Sequence, residues 1–180
     1  MIDAGVAQPA APLAFSYSRA LAPTMWAFAS IMAVELVVVH LLVTGLWSGT
    51  AAAILSILSL AALVWTIIFI RSLRRLPVRV DAAGVTMRVG SLRALLVPAG
   101  QVAGIRTAWP GDMLKQRTVL NLALINYPNV MLDLDPPLLM RRRNIQAIAH
   151  RLDDPSGFVA AIDRLTRINS REEGAPWSIA

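Results

Sequence analysis

The chain contains no cysteine and only two histidines, His40 and His150. The absence of cysteine excludes a disulfide framework, a thiolate metal site and a cysteine nucleophile. Two histidines this far apart in the sequence are too few for a histidine-rich metal centre. The sequence also has no glycine-rich phosphate loop, zinc-ligand spacing or nucleophile elbow. We therefore expect a protein that is not an enzyme and holds neither a cofactor nor a metal ion.

Charge is nearly missing before Arg71, where the only charged residues are Asp3, Arg19 and Glu35. The chain as a whole is 56% hydrophobic, which is too apolar for a soluble domain of its length. Most of the excess lies early in the chain, so the sequence predicts one membrane module followed by one small cytoplasmic domain. The predicted segments are a poorly ordered cytoplasmic tail, the membrane module, the domain and a polar tail, at residues 1–23, 24–70, 71–170 and 171–180.

Two apolar segments are each long enough to cross a bilayer, whose hydrocarbon core of roughly 30 Å needs about 20 residues of helix. The first runs from Thr24 to Leu46 and the second from Ala51 to Ile70. The turn between them, Trp47 to Thr50, is so short that the second helix must return antiparallel beside the first. The sequence therefore predicts a transmembrane helical hairpin.

Four arginines follow the second span: Arg71, Arg74, Arg75 and Arg79. Basic residues stay on the cytoplasmic side of a membrane, so both termini are expected in the cytoplasm. The same arginines attract anionic phospholipid, at about 1 kcal/mol for each residue near the surface. They would serve equally as a topology signal alone. We do not expect nucleic acid as a partner, because the basic residues are scattered and adjacent to the bilayer.

The region from Leu76 to about Arg151 alternates apolar and polar residues in the manner of β-strands. The segment Asp81 to Gly84 predicts a hairpin turn with Gly84 at positive φ. Proline and glycine turns, including Asp135-Pro136-Pro137, separate the later strands. About seven short strands are predicted, two of them flanking the Asp81–Gly84 turn and the others at Leu92–Val97, Val102–Trp109, Thr118–Ile125, Asn129–Leu134 and Ile145–Leu152.

A helix is predicted after Asp153 and Asp154, either of which can cap it, with Pro155 in its first turn. It should end near Asn169. Its apolar face is formed by residues at helical spacing: Phe158, Ile162, Leu165 and Ile168.

Two blocks of sequence carry a resemblance to a known family. The first is RRLPVRVDAAGVTMRVGSLRALLVPAGQVAGI, with an Asp-x-x-Gly-Val turn and a Val-Pro pair, and the second is LDDPSGF at the start of the last helix. With the helical hairpin, they resemble bacterial membrane proteins that carry a pleckstrin-homology-like (PH-like) domain after two transmembrane helices. The resemblance implies an α+β membrane protein of the bacterial inner membrane, whose seven-stranded β-domain is capped by a C-terminal helix. It also implies contacts with protein or lipid and no catalysis, without assigning ligand-binding residues.

Glu35 and His40 lie within the first span, where a charged side chain costs several kcal/mol unless it is paired or neutral. In an antiparallel hairpin, Glu35 should face Ala62. The serines and threonine expected within reach of the two side chains are Ser56, Ser59 and Thr66. Three interpretations stay open: packing inside the hairpin, contact with a protein partner or a second copy, and ion coupling in an oligomeric transporter.

Arg141, Arg142 and Arg143 follow an apolar segment, Leu138 to Met140, in a predicted loop. An apolar tip followed by three arginines is suited to inserting into the membrane interface and binding phosphate groups. A solvated loop, or a strand that continues through Met140, would explain the same residues. Lys115 and Arg117, in another loop, are candidates for the same face.

The leading hypothesis is a non-enzymatic module that is anchored at the inner membrane and binds or scaffolds a protein partner. The first alternative is a sensor of anionic lipid that acts through Arg141 to Arg143, with Arg71, Arg74 and Arg75 contributing. The second is a small transport or channel subunit that uses Glu35 and His40. Trp109 is expected to be a packing residue at a strand end, and His150 is not expected to be catalytic.

Overall fold

A computed structural model of the protein describes residues 11–140 and 142–173. In these residues, one strand precedes a long helical hairpin, and seven strands and a final helix follow it, which confirms the α+β class. Two short 3-10 turns, Ala99–Gln101 and Met113–Lys115, lie between the later strands. The elements in chain order are β1 (Leu13–Phe15), α1 (Ala22–Leu46), α2 (Gly49–Arg75), β2 (Val78–Asp81), β3 (Gly84–Val89), β4 (Arg93–Pro98), β5 (Val102–Arg106), β6 (Val119–Asn121), β7 (Val130–Met140), β8 (Arg143–His150) and α3 (Pro155–Glu173).

Helices α1 and α2 form the predicted hairpin. Only Trp47 and Ser48 separate them, and the Ser48 hydroxyl accepts a hydrogen bond from the Ala51 amide at 3.2 Å, which caps α2. At 1.5 Å per residue the helices are about 37 and 40 Å long. Both are long and apolar enough to cross a membrane, with mean hydropathy of 2.2 and 2.6 over their most apolar windows.

The two helices contact each other along a seam in which buried and half-buried residues recur alternately every three and four positions. This spacing is that of left-handed coiled-coil packing, and the many small side chains let the backbones approach closely. The large apolar side chains point outward instead. The seam consists of Ala22, Met25, Ala29, Met32, Leu36, Val39 and Val43 of α1 with Ala52, Ser56, Ser59, Leu63, Thr66 and Ile70 of α2.

The strands form two four-stranded sheets. The first is antiparallel with the order β1-β2-β3-β4, and the second has the order β5-β7-β8-β6, in which β6 pairs parallel to β8. The Asp81 carboxylate accepts hydrogen bonds from the Ala83 and Gly84 amides, which closes the predicted β2–β3 turn. Gly84 has a φ of 144°, and a Cβ there would lie 2.1 Å from the Val97 carbonyl oxygen. The prediction of a glycine-dependent turn is confirmed.

The core of the β-domain lies between the sheets and is closed by α3. Phe158 and Ile162 of α3 are fully buried, and the Phe158 ring packs edge-on against Phe15 of β1 at 5.2 Å. Ile168, predicted to share this apolar face, is exposed because α3 continues to Glu173, past the edge of the core. Most of the core is supplied by inward-facing strand residues, among them Val78, Met87, Val97, Leu132 and Ile148.

The prediction of a poorly ordered N-terminal tail is wrong for residues 13–21. β1 pairs with β2, with Phe15 opposite Val78, and Phe15 and Tyr17 are buried in the core. Without β1, the backbone of β2 would be an open sheet edge. The described residues therefore contain eight strands, one more than predicted, because β1 lies before the hairpin in the sequence.

Several strand limits differ from the prediction for identifiable reasons. β7 does not end at Leu134 but runs to Met140, through the predicted turn at Asp135-Pro136-Pro137. Its register against β8 is irregular between Asp133 and Leu138, because the two prolines offer no amide hydrogen to the ladder. β6 stops at Asn121, whose side chain accepts a hydrogen bond from the Ala123 amide and so turns the chain.

Candidate functional site

The hairpin is joined to the β-domain by a buried tyrosine. The Tyr17 hydroxyl accepts a hydrogen bond from the Gly90 amide at 2.6 Å and donates one to the Leu76 carbonyl at 3.0 Å. Burial raises the pKa of Tyr17, with smaller opposing effects from the Gly90 amide and Arg88. One side chain therefore connects the segment before α1, the residue after α2 and the β3–β4 turn.

The β3–β4 turn rests directly on the last turns of α2. The Ser72 hydroxyl accepts a hydrogen bond from the Ser91 amide at 3.0 Å. Gly90 has a φ of 48°, and a Cβ there would lie 2.5 Å from the Ser72 Oγ and 3.0 Å from the Phe69 ring. The backbone at Gly90 thus lies too close to the helix for a residue with a Cβ, and this contact holds this end of the sheet at the base of the hairpin.

The segment before α1 is also bound to the start of α3. The Asp153 amide donates to the Ser16 carbonyl at 2.8 Å, and the Asp153 carboxylate accepts from the Arg19 amide at 3.2 Å. Asp154 is therefore the residue that caps α3. It accepts from the Gly157 amide at 2.9 Å, and this bond, with a further one from Ser156, lowers the pKa of Asp154.

An open cleft of about 450 Å³ lies beside the β7–β8 hairpin and is called here the basic cleft. Its charged rim consists of Arg93, Arg142 and Arg143, all exposed. Its floor is apolar and comes from Leu120, Met140 and Ile145. Arg143 also donates to the Arg117 carbonyl at 2.9 Å, which brings the loop carrying Lys115 and Arg117 beside the cleft.

The basic cleft lies at the same end of the first sheet as the helical hairpin. Arg93 follows Ser91, whose amide is bound to α2, by only two residues. Of the three arginines predicted to lie in a loop, Arg142 and Arg143 line the cleft, but Arg143 is the first residue of β8 and not part of a loop. Arg141 is outside the described residues. Sequence reasoning missed Arg93, because nothing in the sequence indicates that the β3–β4 turn meets the β7–β8 hairpin.

The arginines near the end of α2, Arg71, Arg74 and Arg75, are exposed. Arg71, Arg75 and Arg79 line neither this cleft nor a second one that includes Arg74. In that second cleft, Arg74 is accompanied by Arg19 from the segment before α1. Two arginines that the sequence keeps on opposite sides of the hairpin are therefore brought to one surface.

Glu35 and His40 lie on different faces of α1. His40 Nδ1 is 2.7 Å from the Ser56 hydroxyl of α2, one of the partners expected from the antiparallel register. Thr66 points toward Met32 instead. Glu35, five residues before His40, lies about 140° around the helix at 3.6 residues per turn and is exposed on the outer surface of the hairpin. The structure therefore does not bring the two ionisable groups together.

His150 is buried, with 2% of its surface exposed. Its Nδ1 accepts a hydrogen bond from the Arg151 amide at 2.7 Å, which assigns the proton to Nε2, and Nε2 donates to the Arg88 carbonyl at 2.9 Å. Burial lowers the pKa of His150, since the imidazolium form would be desolvated. Both nitrogens are engaged in backbone contacts, which gives this histidine a packing role.

Trp109 has the predicted packing role as well. Its ring stacks on Tyr127 at 6.2 Å and packs against a small cluster on the outer face of the second sheet.

On the neighbouring strands, Arg106 of β5 and Asp133 of β7 form an ion pair. Their hydrogen bond raises the pKa of Arg106. No group of three or more metal-ligating side chains occurs in the described part of the chain.

No protein-family model matches this chain, and no match was found among curated proteins or among solved structures. The PH-like resemblance therefore depends on the sequence motifs and the order of elements alone. The assignment of function depends on the surfaces described above.

Proposed function

We propose that α1 and α2 cross a bacterial inner membrane as a hairpin and hold a PH-like interaction module at its cytoplasmic face. The outer surfaces of both helices support the first part, because they expose large apolar side chains such as Ile31, Leu41 and Leu58. A water-soluble protein rarely exposes a continuous apolar surface of this extent. In a bilayer, the same surface lies against the acyl chains.

The charge distribution supports the orientation. Arg71, Arg74 and Arg75 lie at the end of the hairpin that carries the β-domain, whereas Trp47 and Ser48 at the other end are uncharged. By the positive-inside rule, the β-domain and the N-terminal segment both lie in the cytoplasm.

The observation that carries the functional proposal is the basic cleft. Three exposed arginines surround an apolar floor, and the cleft lies next to the hairpin, where the membrane surface would be. Arginine is well suited to bidentate binding of carboxylates. The proposed ligand is a segment of a protein partner that carries acidic residues beside an apolar side chain. The protein would then act as a non-enzymatic scaffold that recruits this partner to the membrane.

Site-specific photo-crosslinking of the full-length protein in its membrane tests this proposal. A photoreactive residue at Leu92, beside Arg93, is compared with one at Ile168 on α3, since both positions are similarly exposed at 54% and 56%. We expect a discrete protein adduct from Leu92 only. The adduct should be lost in Arg93→Gln/Arg142→Gln and retained in Arg164→Gln/Arg167→Gln, which removes the same charge from α3. Equal adducts from Leu92 and Ile168 would contradict the proposal.

Anionic lipid is the second candidate ligand for the basic cleft. It is favoured by the position of the cleft beside the hairpin, because arginines close to a membrane surface attract acidic headgroups. In the same experiment, a lipid adduct at Leu92 without a protein adduct would identify this alternative. Transport has less support, because Glu35 and His40 lie on different faces of α1.

A further inference from the structure

A second cleft lies at the base of the hairpin, between the two places where the chain would enter and leave the bilayer. It measures about 500 Å³, within the range of small-ligand sites, which is about 300–1,000 Å³. It is formed by the segment before α1, the first turns of α1 and the last turn of α2. Its lining includes Ser16, Ser18, Arg19, Ala22, Trp26 and Arg74, and it is called here the hairpin-base cleft.

The charge of the hairpin-base cleft is positive on both sides. Arg19 and Arg74 are exposed, and no carboxylate in the described part of the chain is within ion-pair distance of either guanidinium. Asp153, the acidic residue bound to this segment, accepts its hydrogen bonds from the Arg19 backbone amide. The two guanidinium groups are therefore available to a bound anion. The Ser16 and Ser18 hydroxyls lie 3.3 Å apart and hydrogen-bond to each other, so only one of them is left to donate to a ligand.

The remaining wall indicates what kind of anion fits. Ala22 and Trp26 are apolar, and they continue into the exposed apolar surface of α1. Tryptophan is enriched at the level of the headgroups, where an amphipathic ring contacts both water and acyl chains. A ligand that carries a phosphate next to apolar chains matches the two arginines and this wall together. A free phosphate ion would use the arginines alone.

The cleft is also held in place by contacts on each side. The backbone at Ser16 and Arg19 is bound to Asp153 of the β-domain, and Tyr17 is bound to Gly90 and Leu76. Arg74 lies in α2 between Ser72 and Leu76, which are both hydrogen-bonded to the same joint. Little ordering is needed when a ligand binds, and preorganisation of this kind favours affinity.

We propose that the hairpin-base cleft binds the phosphate of an anionic phospholipid, clamped between Arg19 and Arg74. This inference rests on the proposed insertion of the hairpin into a bilayer, but it concerns a different site from the basic cleft. A lipid bound here contacts both helices and the segment that joins the β-domain. The cleft would therefore link the composition of the membrane to the position of the β-domain.

The test uses full-length protein reconstituted into nanodiscs of zwitterionic lipid. Short-chain phosphatidylglycerol is titrated, with glycerol 3-phosphate as the matching soluble phosphate, and binding is measured by calorimetry at physiological salt. Arg19→Gln/Arg74→Gln is compared with Arg71→Gln/Arg75→Gln, which removes the same charge from exposed positions outside the cleft. We expect the first pair to weaken lipid binding by about tenfold or more. The second pair should weaken it by less than about threefold, because a zwitterionic bilayer lacks the negative surface charge that attracts arginines outside the cleft.

Equal losses in both double variants would overturn the proposal, because binding would then reflect diffuse attraction to the membrane surface. Binding of glycerol 3-phosphate as tight as that of the lipid would overturn the assignment to phospholipid. If the Arg19 variant fails to fold, the single exposed substitutions Arg74→Gln and Arg75→Gln give the same comparison. Failure of the wild-type chain to enter nanodiscs would refute the proposed membrane insertion itself, whereas insertion without a difference between variants refutes only this site.

Discussion

The helical hairpin and the β-domain distribute the same residue types in opposite ways. In the hairpin, large apolar side chains point outward, and the seam between the helices contains alanines, serines and a threonine. In the β-domain, valine, leucine, isoleucine and phenylalanine point inward, and the arginines point outward. The difference is the one that the proposed membrane insertion requires, with hydrocarbon around the hairpin and water around the domain. Burial of an apolar side chain therefore removes it from water in the β-domain, whereas in the proposed bilayer it would remove the side chain only from lipid.

The largest difference between the two regions is expected when one phenylalanine in each is truncated to alanine. Phe158→Ala leaves a cavity in the fully buried core of the β-domain and should lower the free energy of unfolding by about 3–5 kcal/mol. Phe28→Ala, at a position 51% exposed on α1, should change it by less than about 0.5 kcal/mol. Urea unfolding of the full-length protein in neutral detergent, followed by near-ultraviolet circular dichroism, measures both. Similar losses in the free energy of unfolding for Phe158→Ala and Phe28→Ala would contradict the difference in packing between the two regions.

The joint between the regions can be tested at Gly90. Gly90→Ala combines a strained positive φ with a Cβ only 2.5 Å from the Ser72 Oγ, and we expect a loss of about 2–4 kcal/mol. The control is Gly104→Ala, where an added Cβ meets nothing within 4 Å. The same unfolding measurement applies. A loss confined to Gly90→Ala would show that contact with α2 stabilises the β-domain, and equal small losses would show that the two regions are independent.

Tyr17 gives a milder test of the same joint. Tyr17→Phe removes the acceptor for the buried Gly90 amide and should cost about 1–3 kcal/mol. Tyr127→Phe, at a tyrosine that is 59% exposed, should have no measurable effect. Amide hydrogen exchange at Gly90 is a direct readout, because an amide without its acceptor is protected only by burial. Unchanged protection in Tyr17→Phe would contradict the assigned hydrogen bond.

The smallest effect is expected from pH. The folded state lowers the pKa of His150 below that of the unfolded chain, so the unfolded state binds the proton more readily. Stability is therefore fully present above the unfolded value of about 6.5 and decreases as the pH falls below it, by at most about 1.4 kcal/mol per pH unit. Urea midpoints between pH 7.5 and 5.5 should show this decrease in the wild type and in His40→Gln. The decrease should be absent in His150→Gln.

The hairpin could be predicted almost completely from the sequence, because its signals are local. The apolar segments, the short Trp47–Ser48 connection and the register that places His40 beside Ser56 follow from helix geometry. The Asp81–Gly84 turn and the cap of α3 were predictable for the same reason. Each depends on residues within a few positions of one another.

The candidate sites could not be predicted to the same extent, because each combines residues from distant parts of the chain. Arg142 and Arg143 were predicted as a basic loop, but Arg93 joins them only through the packing of the two sheets. Arg19 and Arg74 meet only because the segment before α1 is bound to the β-domain. Pro136 and Pro137 in β7 predicted a turn, because the local sequence does not distinguish a strand that continues through two prolines from a strand that ends at them.

The position of β1 determines the order in which this protein can be assembled. β1 is synthesised before both helices, but its partner β2 is synthesised after them, so the first sheet cannot close until the whole hairpin has left the ribosome. A fragment that begins at Leu76 would lack β1, and the unpaired backbone of β2 would be open to pairing with other chains. The β-domain is therefore complete only when it carries residues 13–21, which precede the first helix.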